Sequence, residues 1–358
     1  MFSMYGVVRY YRKRNKNLPW IVIFLMSIAY GYYSIMVGSP ALGSDRGNYA
    51  TCYVSNYDVS ERESPGLNWA YGILRPISLE PNFLFITFAT CYMLLTLIVI
   101  RYYRSMSARA FLFLLCSLYP LTGFYLLKQC ISQVLASMSL LLILYSFQFN
   151  GMRLWPKKIL YLVLAVFLLW GAVAFHEAAY VVCLVAVALL FWHIKMIRVS
   201  TLVCSSVGIV VGGLMLRTLL AEIGAHSENL ANQTTIYADG TEGNVSNILV
   251  FIKGLPFYIM TYVALIWRKR LNVSVENYDK YLLFLIIISC STFVSSFNYW
   301  LYRFSFYFYI PALSFCYWLY VKLKEMGMSG KWYEWSFYIT LLLSVKEISQ
   351  YYFLYGGL

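Results

Sequence analysis

The feature that most constrains the fold is a series of about eleven long apolar segments distributed along the whole chain. An α-helix needs roughly 20 apolar residues to cross a bilayer core roughly 30 Å thick. The residue-by-residue alternation that a membrane β-barrel requires is absent. The sequence therefore predicts an all-α, polytopic membrane protein with about eleven transmembrane helices. The predicted spans are approximately 18–38, 82–100, 109–124, 127–148, 159–175, 177–194, 199–219, 246–267, 281–298, 302–321 and 333–353.

Composition agrees with a membrane protein and excludes nucleic-acid binding as the main role. Hydrophobic residues make up 61% of the chain and charged residues 12%, whereas soluble proteins have roughly a quarter charged residues. The net charge of +13 is spread over short loops, while a nucleic-acid binder concentrates its basic residues on one soluble face. Most of the eight cysteines lie in apolar segments and lack the spacing of a disulfide framework or a zinc site.

Basic residues are sorted between alternate gaps of the predicted spans. If alternate gaps are cytoplasmic and the N-terminus is inside, 20 of the 28 Lys and Arg residues fall on the cytoplasmic side, as the positive-inside rule requires. The odd number of spans then places the C-terminus outside. Topology leaves eight basic residues unexplained: Arg46, Arg62, Arg75, Lys128, Arg217, Lys253, Arg303 and Lys346. Loop and packing roles account for Arg62 and Lys346, and the others become candidates for function.

The segments and gaps predict a single integral membrane domain over residues 1–358 with two large external loops. The first loop covers residues 39–81. Apolar residues recur there at helical intervals and predict an amphipathic helix at about 66–79 in the membrane interface. The second loop, about 221–244, is polar and contains glycine. No loop is large enough for a soluble catalytic domain, so any chemistry must use the outer face and the membrane-embedded walls.

Two titratable groups on the predicted outer side are candidate bases. Asp45 follows the first span, and its carboxylate could take a proton from a hydroxyl; alternatively, it is a solvated acid beside Arg46 in a glycine-containing turn. His176 precedes Glu177 after an almost uniformly apolar run. Ionisable groups within a membrane usually have a partner or a role, although a hydrogen-bonded interfacial histidine would also fit. The pair is not part of a zincin HExxH motif, because position 180 is Tyr.

External cations are the second group of candidates. Lys128 and Gln129 begin the fourth span, where a helix N-terminus favours an anion. Arg303 begins the tenth span within an aromatic run, and its guanidinium can hold a phosphate with two hydrogen bonds. Several such cations around one cavity would bind a lipid pyrophosphate, whereas each alone would fit a snorkelling lysine or a surface ion pair. The further candidates are Arg75, Arg217 and Lys253, and the aromatic faces of Tyr299 and Tyr302 suit sugar stacking.

Together these residues resemble the EpsG-like group of Wzy-type polymerases, which build O-antigen, capsular and exopolysaccharide chains in bacteria. The resemblance rests on the stretch from Gly43 to Tyr53, on a loop helix before the second span, and on three elements that open later helices. Those elements are Lys128 with Gln129, His176, and the aromatic run at Arg303. One departure is that the family usually has Arg-Gln where this chain has Lys128-Gln129, which keeps the charge and loses the bidentate geometry.

The resemblance implies a C-type glycosyltransferase fold whose active site faces the periplasm from the inner membrane. The donor would be a growing glycan on undecaprenyl pyrophosphate, and the acceptor a lipid-linked repeat unit. No cofactor or metal is expected, since clustered carboxylates are absent from the sequence. A chain-length regulator and a flippase are candidate partners. The expected catalytic residues are Asp45, His176 and Arg303. The expected substrate-binding residues are Arg46, Tyr49, Arg75, Lys128, Gln129, Glu177, Arg217, Lys253, Tyr299 and Tyr302.

Other readings of the same residues remain open. A lipid-linked oligosaccharide flippase would also bind pyrophosphate through cations, although transporters often contain internal repeats and the sequence shows none. An O-antigen ligase relative would share the fold class and differ in its acceptor. A non-enzymatic scaffold would leave the external cations without a purpose.

Overall fold

The computed structural model describes most of the chain as continuous stretches, together with single positions and short pieces within 200–215 and 315–342. The stretches are 19–37, 45–55, 64–102, 127–147, 154–190, 247–271, 278–295 and 302–312. Every secondary-structure element in them is a helix, which confirms the predicted all-α class for this part of the chain. The predicted spans 109–124, 199–219 and 333–353 and the second external loop lie largely or wholly outside the described residues.

The chain divides into two compact units, residues 1–187 with 344–358 and residues 188–343. The first unit contains α1 (Trp20–Val37), α2 (Asp45–Ser55), α3 (Pro65–Leu74), α4 (Pro81–Tyr102), α5 (Leu127–Ser146), α6 (Trp155–Phe175), a 3₁₀ turn (Glu177–Ala179) and most of α7 (Tyr180–Leu190). The second contains α8 (Asn247–Leu271), α9 (Tyr278–Ser295), α10 (Tyr302–Ser305) and a 3₁₀ turn (Phe306–Phe308). The single membrane domain over residues 1–358 stays a prediction.

Three of the described helices are long and apolar enough to cross a membrane. They are Pro81–Val99 within α4, and the whole of α5 and α6. Trp20–Met36 and Glu177–Leu190 are shorter apolar helices. Each of the five coincides with a predicted span, so the described part of the chain has the helices of a membrane protein. The total of eleven spans stays a prediction.

Helices α1 and α4 pack closely because α1 has a glycine at their contact. A Cβ atom built on Gly31 would lie 2.9 Å from the carbonyl oxygen of Ile86 and would also meet the hydroxyl of Thr90. Both groups belong to α4, so the two backbones are closer than a side chain at position 31 would allow. Small residues have this role in membrane helix pairs, because association there depends on close packing rather than on a hydrophobic driving force.

Gly31→Ala is expected to destabilise the folded state by about 1–3 kcal/mol, because the Ile86 carbonyl is backbone and cannot swing aside. Gly72→Ala is the matched control: a Cβ atom at Gly72 meets nothing within 4 Å, and a helical glycine with open space tolerates alanine well. Thermal unfolding of the detergent-solubilised protein measures both changes. Equal melting temperatures for the two variants would contradict the close approach of α1 and α4.

Serine hydroxyls join α5 to α6 along their length. Ser132 Oγ donates to the Ala172 carbonyl at 2.6 Å, and Ser139 Oγ donates to the Ala165 carbonyl at 2.7 Å. The later residue on α5 bonds to the earlier residue on α6, so the two helices are antiparallel. The start of α5 therefore lies beside the end of α6.

The opposite face of α6 is apolar and exposed, as a lipid-facing surface would be, and includes Val163, Phe167 and Trp170.

The first predicted external loop contains a helix that its sequence pattern does not indicate. Helix α2 occupies Asp45–Ser55, where a glycine-containing turn was one of the two interpretations of Asp45. Local propensity is overridden by packing, because Tyr49, Ala50 and Tyr53 are all buried along one side of α2. Asp45 is therefore the first residue of a helix rather than part of a turn, and its role as a base stays a prediction.

The predicted helix at about 66–79 is present as α3, but it ends at Leu74, with a turn following. Its regularly spaced apolar residues are buried. A Cβ atom on Gly66 would lie 2.9 Å from the Phe175 ring, so α3 rests on the C-terminal end of α6. The apolar stripe of α3 therefore packs on protein, while Trp69 and Ile73 lie on its exposed side. Its position in the membrane interface stays a prediction.

Helices α8 and α9 of the second unit form a hairpin held by a buried ion pair. Arg268 Nε donates to Asp279 Oδ1 at 2.8 Å, and Arg268 Nη2 donates to Asp279 Oδ2. Both side chains are almost fully buried. The Tyr278 hydroxyl donates to the Ala264 carbonyl at 2.7 Å. Arg268, one of the 20 basic residues on the predicted cytoplasmic side, therefore also connects two helices.

Candidate functional site

Six of the predicted site residues lie at one end of the first unit. The Phe88 and Phe175 rings are 6.4 Å apart between centroids, which brings the start of α4 to the end of α6. The hydrogen bond from Ser132 Oγ to the Ala172 carbonyl likewise brings the start of α5 to the end of α6. The residues at this end are Arg46, Arg75, Lys128, Gln129, His176 and Glu177. This common end is the candidate site.

Arg46 connects α2 to the end of α1. Its side chain is fully buried, and its Nη1 donates to the Ser34 carbonyl at 3.0 Å. The guanidinium carbon lies 3.9 Å from the centroid of the Phe85 ring, within cation–π distance. A cation at a helix C-terminus complements the partial negative charge of the last carbonyls. These contacts give Arg46 a structural role, and its contact with substrate stays a prediction.

Arg75 fastens the other end of α2. Its Nε donates to the Tyr53 carbonyl at 3.0 Å and its Nη2 to the Cys52 carbonyl at 2.7 Å. The guanidinium also lies 5.3 Å from the Tyr71 ring centroid. The Tyr53 hydroxyl donates to the Ser78 carbonyl; burial raises the pKa of this hydroxyl, with the charge of Arg75 opposing the rise. Helix α2 is thus held by one arginine at each end.

Asp45 and Tyr49 belong to this fastened helix. Asp45 is the first residue of α2, and its side chain is outside the described part of the structure. Tyr49 is 5% exposed, so most of its surface contacts protein. Because the side chain of Arg46 is bonded to α1, the backbone of the adjacent residue Asp45 is held in place. The catalytic role of Asp45 and the substrate contact of Tyr49 stay predictions.

Lys128 and Gln129 lie in the first turn of α5. Lys128 is half-buried, whereas Gln129 is 1% exposed and packs inside the unit. Ser132, one turn further, bonds to the last turn of α6 through Ala172. The first turn of α5 therefore lies close to the segment that follows α6, where His176 is found.

His176 separates α6 from the 3₁₀ turn. Its backbone is extended (φ −156°, ψ 119°) and its N–H donates to the Ala172 carbonyl at 3.0 Å, which ends α6. The imidazole Nδ1 accepts a hydrogen bond from the Ala178 N–H at 3.2 Å, and the His176 carbonyl accepts from the Ala179 N–H. The half-buried ring therefore caps the following helix. Glu177, next in the chain, is exposed.

The remaining candidates belong to the second unit. Lys253 lies within α8, and Tyr302 and Arg303 begin α10; the side chains of these three are outside the described part of the structure. Arg217 and Tyr299 also fall outside it. The convergence of these residues with the cations of the first unit stays a prediction. Among the described residues, no group of three or more His, Cys, Asp or Glu could hold a metal, and independence from metals also stays a prediction.

Sequence reasoning missed the backbone partners of the two arginines. Ser34 is 12 residues from Arg46, and Cys52 is 23 residues from Arg75, so no local pattern indicates either contact. The cap at His176 did have a signal, because a polar residue between two apolar helical segments occupies the usual position of an N-cap.

These apolar helices, with cations gathered at one end of the first unit, define a multi-helix membrane protein. The EpsG family model matches residues 23–352. Since the match covers most of the chain, the protein belongs to the EpsG family, which confirms the resemblance seen in its sequence. Membership indicates a glycosyltransferase-type, polysaccharide-polymerase-like function. No curated protein and no solved structure matched the chain.

Proposed function

We propose that the protein polymerises lipid-linked oligosaccharide repeat units at the outer face of the bacterial inner membrane. The observation that carries the proposal is the EpsG family match over residues 23–352. The proposed architecture is a C-type glycosyltransferase with about eleven spans, a cytoplasmic N-terminus and an active site facing the periplasm. Donor and acceptor are both linked to undecaprenyl pyrophosphate, and the product belongs to the O-antigen, capsule or exopolysaccharide class.

The proposed reaction is a displacement at the anomeric carbon of the donor. The terminal sugar hydroxyl of the incoming repeat unit attacks this carbon, and a new C–O bond forms. The bond from the anomeric carbon to the pyrophosphate oxygen breaks, and undecaprenyl pyrophosphate leaves with the electron pair. A base, Asp45 or His176, takes the hydroxyl proton. No nucleotide takes part, which is consistent with the absence of a glycine-rich phosphate loop from the sequence.

Cations are the main catalytic device in this scheme, because the leaving group develops negative charge in the transition state. Lys128 and Arg303 are the central candidates, and Arg217 and Lys253 are further candidates. Arg75 holds the end of α2 through hydrogen bonds of its guanidinium. Its positive charge is also proposed to stabilise the negative charge of the leaving group. Tyr299 and Tyr302 are proposed to stack on sugar rings.

Elongation of a synthetic lipid-linked repeat unit by the purified protein in vesicles tests the proposal. Wild-type protein should produce polymer in the presence of a chelator. Arg303→Ala should reduce the rate about 100- to 1000-fold, as removal of a single anion-stabilising donor does. Arg198→Ala is the matched control, since it removes the same charge from the predicted cytoplasmic side.

The same variants in cells separate the polymerase from a flippase. Arg303→Ala should abolish polymer while single repeat units still reach the cell surface. Accumulation of repeat units on the inner leaflet would favour a flippase, and a strict metal requirement of the wild-type enzyme would contradict the proposed site.

A further inference from the structure

The side chain of Gln133 is buried in α5, and the fold leaves its amide nitrogen unsatisfied. Gln133 is 3% exposed, and its buried Nε2 has no hydrogen-bond partner in the described part of the structure. Serine hydroxyls on the same helix differ, because Ser132, Ser139 and Ser146 each donate to a carbonyl. An unsatisfied donor is costly in a protein interior, and polar groups at membrane depth usually have a partner or a function. The acceptor for this amide is therefore expected to come from a bound molecule.

The amide of Gln133 is directed toward the candidate site. Gln133 lies within the first two turns of α5. The side chain of a helical residue is tilted toward the N-terminal end of its helix, so this amide extends back toward the first turn, where Lys128 lies. Lys128 is half-buried. The two side chains therefore connect the partly exposed start of α5 to its buried interior.

The groups at the start of α5 favour an anionic ligand with several oxygen atoms. The ammonium of Lys128 donates hydrogen bonds and accepts none, and the Nε2 of Gln133 is likewise a donor. The N-terminus of a helix also favours negative charge through its backbone dipoles. A phosphate group satisfies all three, because each of its oxygens accepts hydrogen bonds and it has a negative charge.

We infer that Gln133 Nε2 donates a hydrogen bond to a phosphate oxygen of the lipid-linked substrate. The inference rests on the proposed function and adds a residue outside the substrate-binding set that the family resemblance implies. The contact extends the anion site from Lys128 into the buried part of α5. Because the amide is neutral and does not exchange its proton, Gln133 contributes to the affinity for the pyrophosphate and not to proton transfer.

Gln133→Met tests the inference, because methionine has a similar size and no amide. Two effects are expected, and a structural role would not produce them together. Removing an unsatisfied buried donor should leave the melting temperature of the ligand-free protein unchanged or raise it. The affinity for undecaprenyl pyrophosphate, titrated against the protein in vesicles, should fall about 10- to 100-fold, as expected for the loss of one hydrogen bond to a charged group.

Thr96→Val is the matched control. Thr96 is 2% exposed, and its buried Oγ1 also has no partner among the described residues. It lies about four turns into α4. The change removes an unsatisfied buried group from the same unit, so it should also leave the melting temperature unchanged or raise it. The affinity for undecaprenyl pyrophosphate should stay at the wild-type value.

Inorganic pyrophosphate and a lipid-linked repeat unit identify the atom that Gln133 contacts. If the acceptor is a phosphate oxygen, Gln133→Met should weaken the binding of both compounds by a similar factor. A loss confined to the glycan-bearing lipid would place the contact at a sugar oxygen and overturn the assignment to phosphate.

Three further results would overturn the inference. The first is a lower melting temperature of Gln133→Met, because the amide would then stabilise the fold itself. The second is an unchanged affinity for undecaprenyl pyrophosphate, and the third is an equal loss of affinity in Thr96→Val. A wild-type protein that binds undecaprenyl pyrophosphate but does not elongate glycan would contradict the proposed function and leave the Gln133 contact intact.

Discussion

Asp45→Asn should reduce the rate of glycan elongation by about 100- to 10,000-fold, the range that a positioned general base contributes. The amide keeps the size of the carboxylate but cannot take the proton of the acceptor hydroxyl. The effect should fall on the rate of the bond-forming step rather than on substrate affinity. Single-turnover elongation measures that step directly.

The geometry explains why this position should be sensitive. Asp45 begins α2, and the next residue, Arg46, is buried and bonded to the end of α1. Arg75 holds the last turn of the same helix. A catalytic group benefits from such a fixed backbone, because a shift of about 1 Å from the productive geometry costs on the order of 100-fold in rate.

Glu80→Gln is the matched control for Asp45→Asn. Glu80 is an exposed carboxylate just before α4, at the same end of the first unit. Its loss removes the same charge from the same region, so a general electrostatic effect would appear in both variants. Full activity of Asp45→Asn would exclude Asp45 as the base, and equal losses in the two variants would indicate a field effect instead of proton transfer.

Asp279→Ala should destabilise the folded state by about 3–5 kcal/mol, the usual cost of removing one partner from a buried ion pair. The change would leave the guanidinium of Arg268, which now makes two hydrogen bonds to the carboxylate, buried without its counter-charge. The connection between α8 and α9 should weaken first. Thermal or denaturant unfolding in detergent measures the loss.

A double variant tests whether the cost comes from the unpaired charge. Arg268→Met with Asp279→Leu replaces the pair by apolar side chains, which buried sites often accept at little or no cost. The double variant should therefore be more stable than Asp279→Ala alone. If it is equally unstable, the hairpin depends on the pair itself rather than on charge compensation.

Several elements of the fold could be predicted because they depend on local sequence. Apolar segments long enough for a bilayer predicted α1, α4, α5, α6 and α7, since the length of an apolar run is visible residue by residue. Helix α2 could not be predicted in this way. Its glycine and asparagine favour a turn, and only the burial of Tyr49 and Tyr53 against the rest of the unit makes it helical.

The candidate residues could be named from the sequence, but their contacts could not. Three of the basic residues that topology does not require, Arg46, Arg75 and Lys128, lie at one end of the first unit, and their role in function stays a prediction. The sequence could not show that two of these three bond to the ends of neighbouring helices. Such contacts join residues 12 to 23 positions apart, and their partners are carbonyl groups, which every residue has.

The sequence by itself determined the helical class, the membrane character and the family, because apolar length and short motifs are properties of consecutive residues. Only the tertiary structure decided what individual charged and titratable groups do. The guanidinium of Arg46 meets α1 because α1 and α2 are folded against each other. The guanidinium of Arg75 meets the carbonyls of Cys52 and Tyr53 because α2 and α3 are folded against each other. The chemistry of such a side chain depends on the groups that folding places within about 3 Å of it. The residues next to it in the sequence do not show which groups these are.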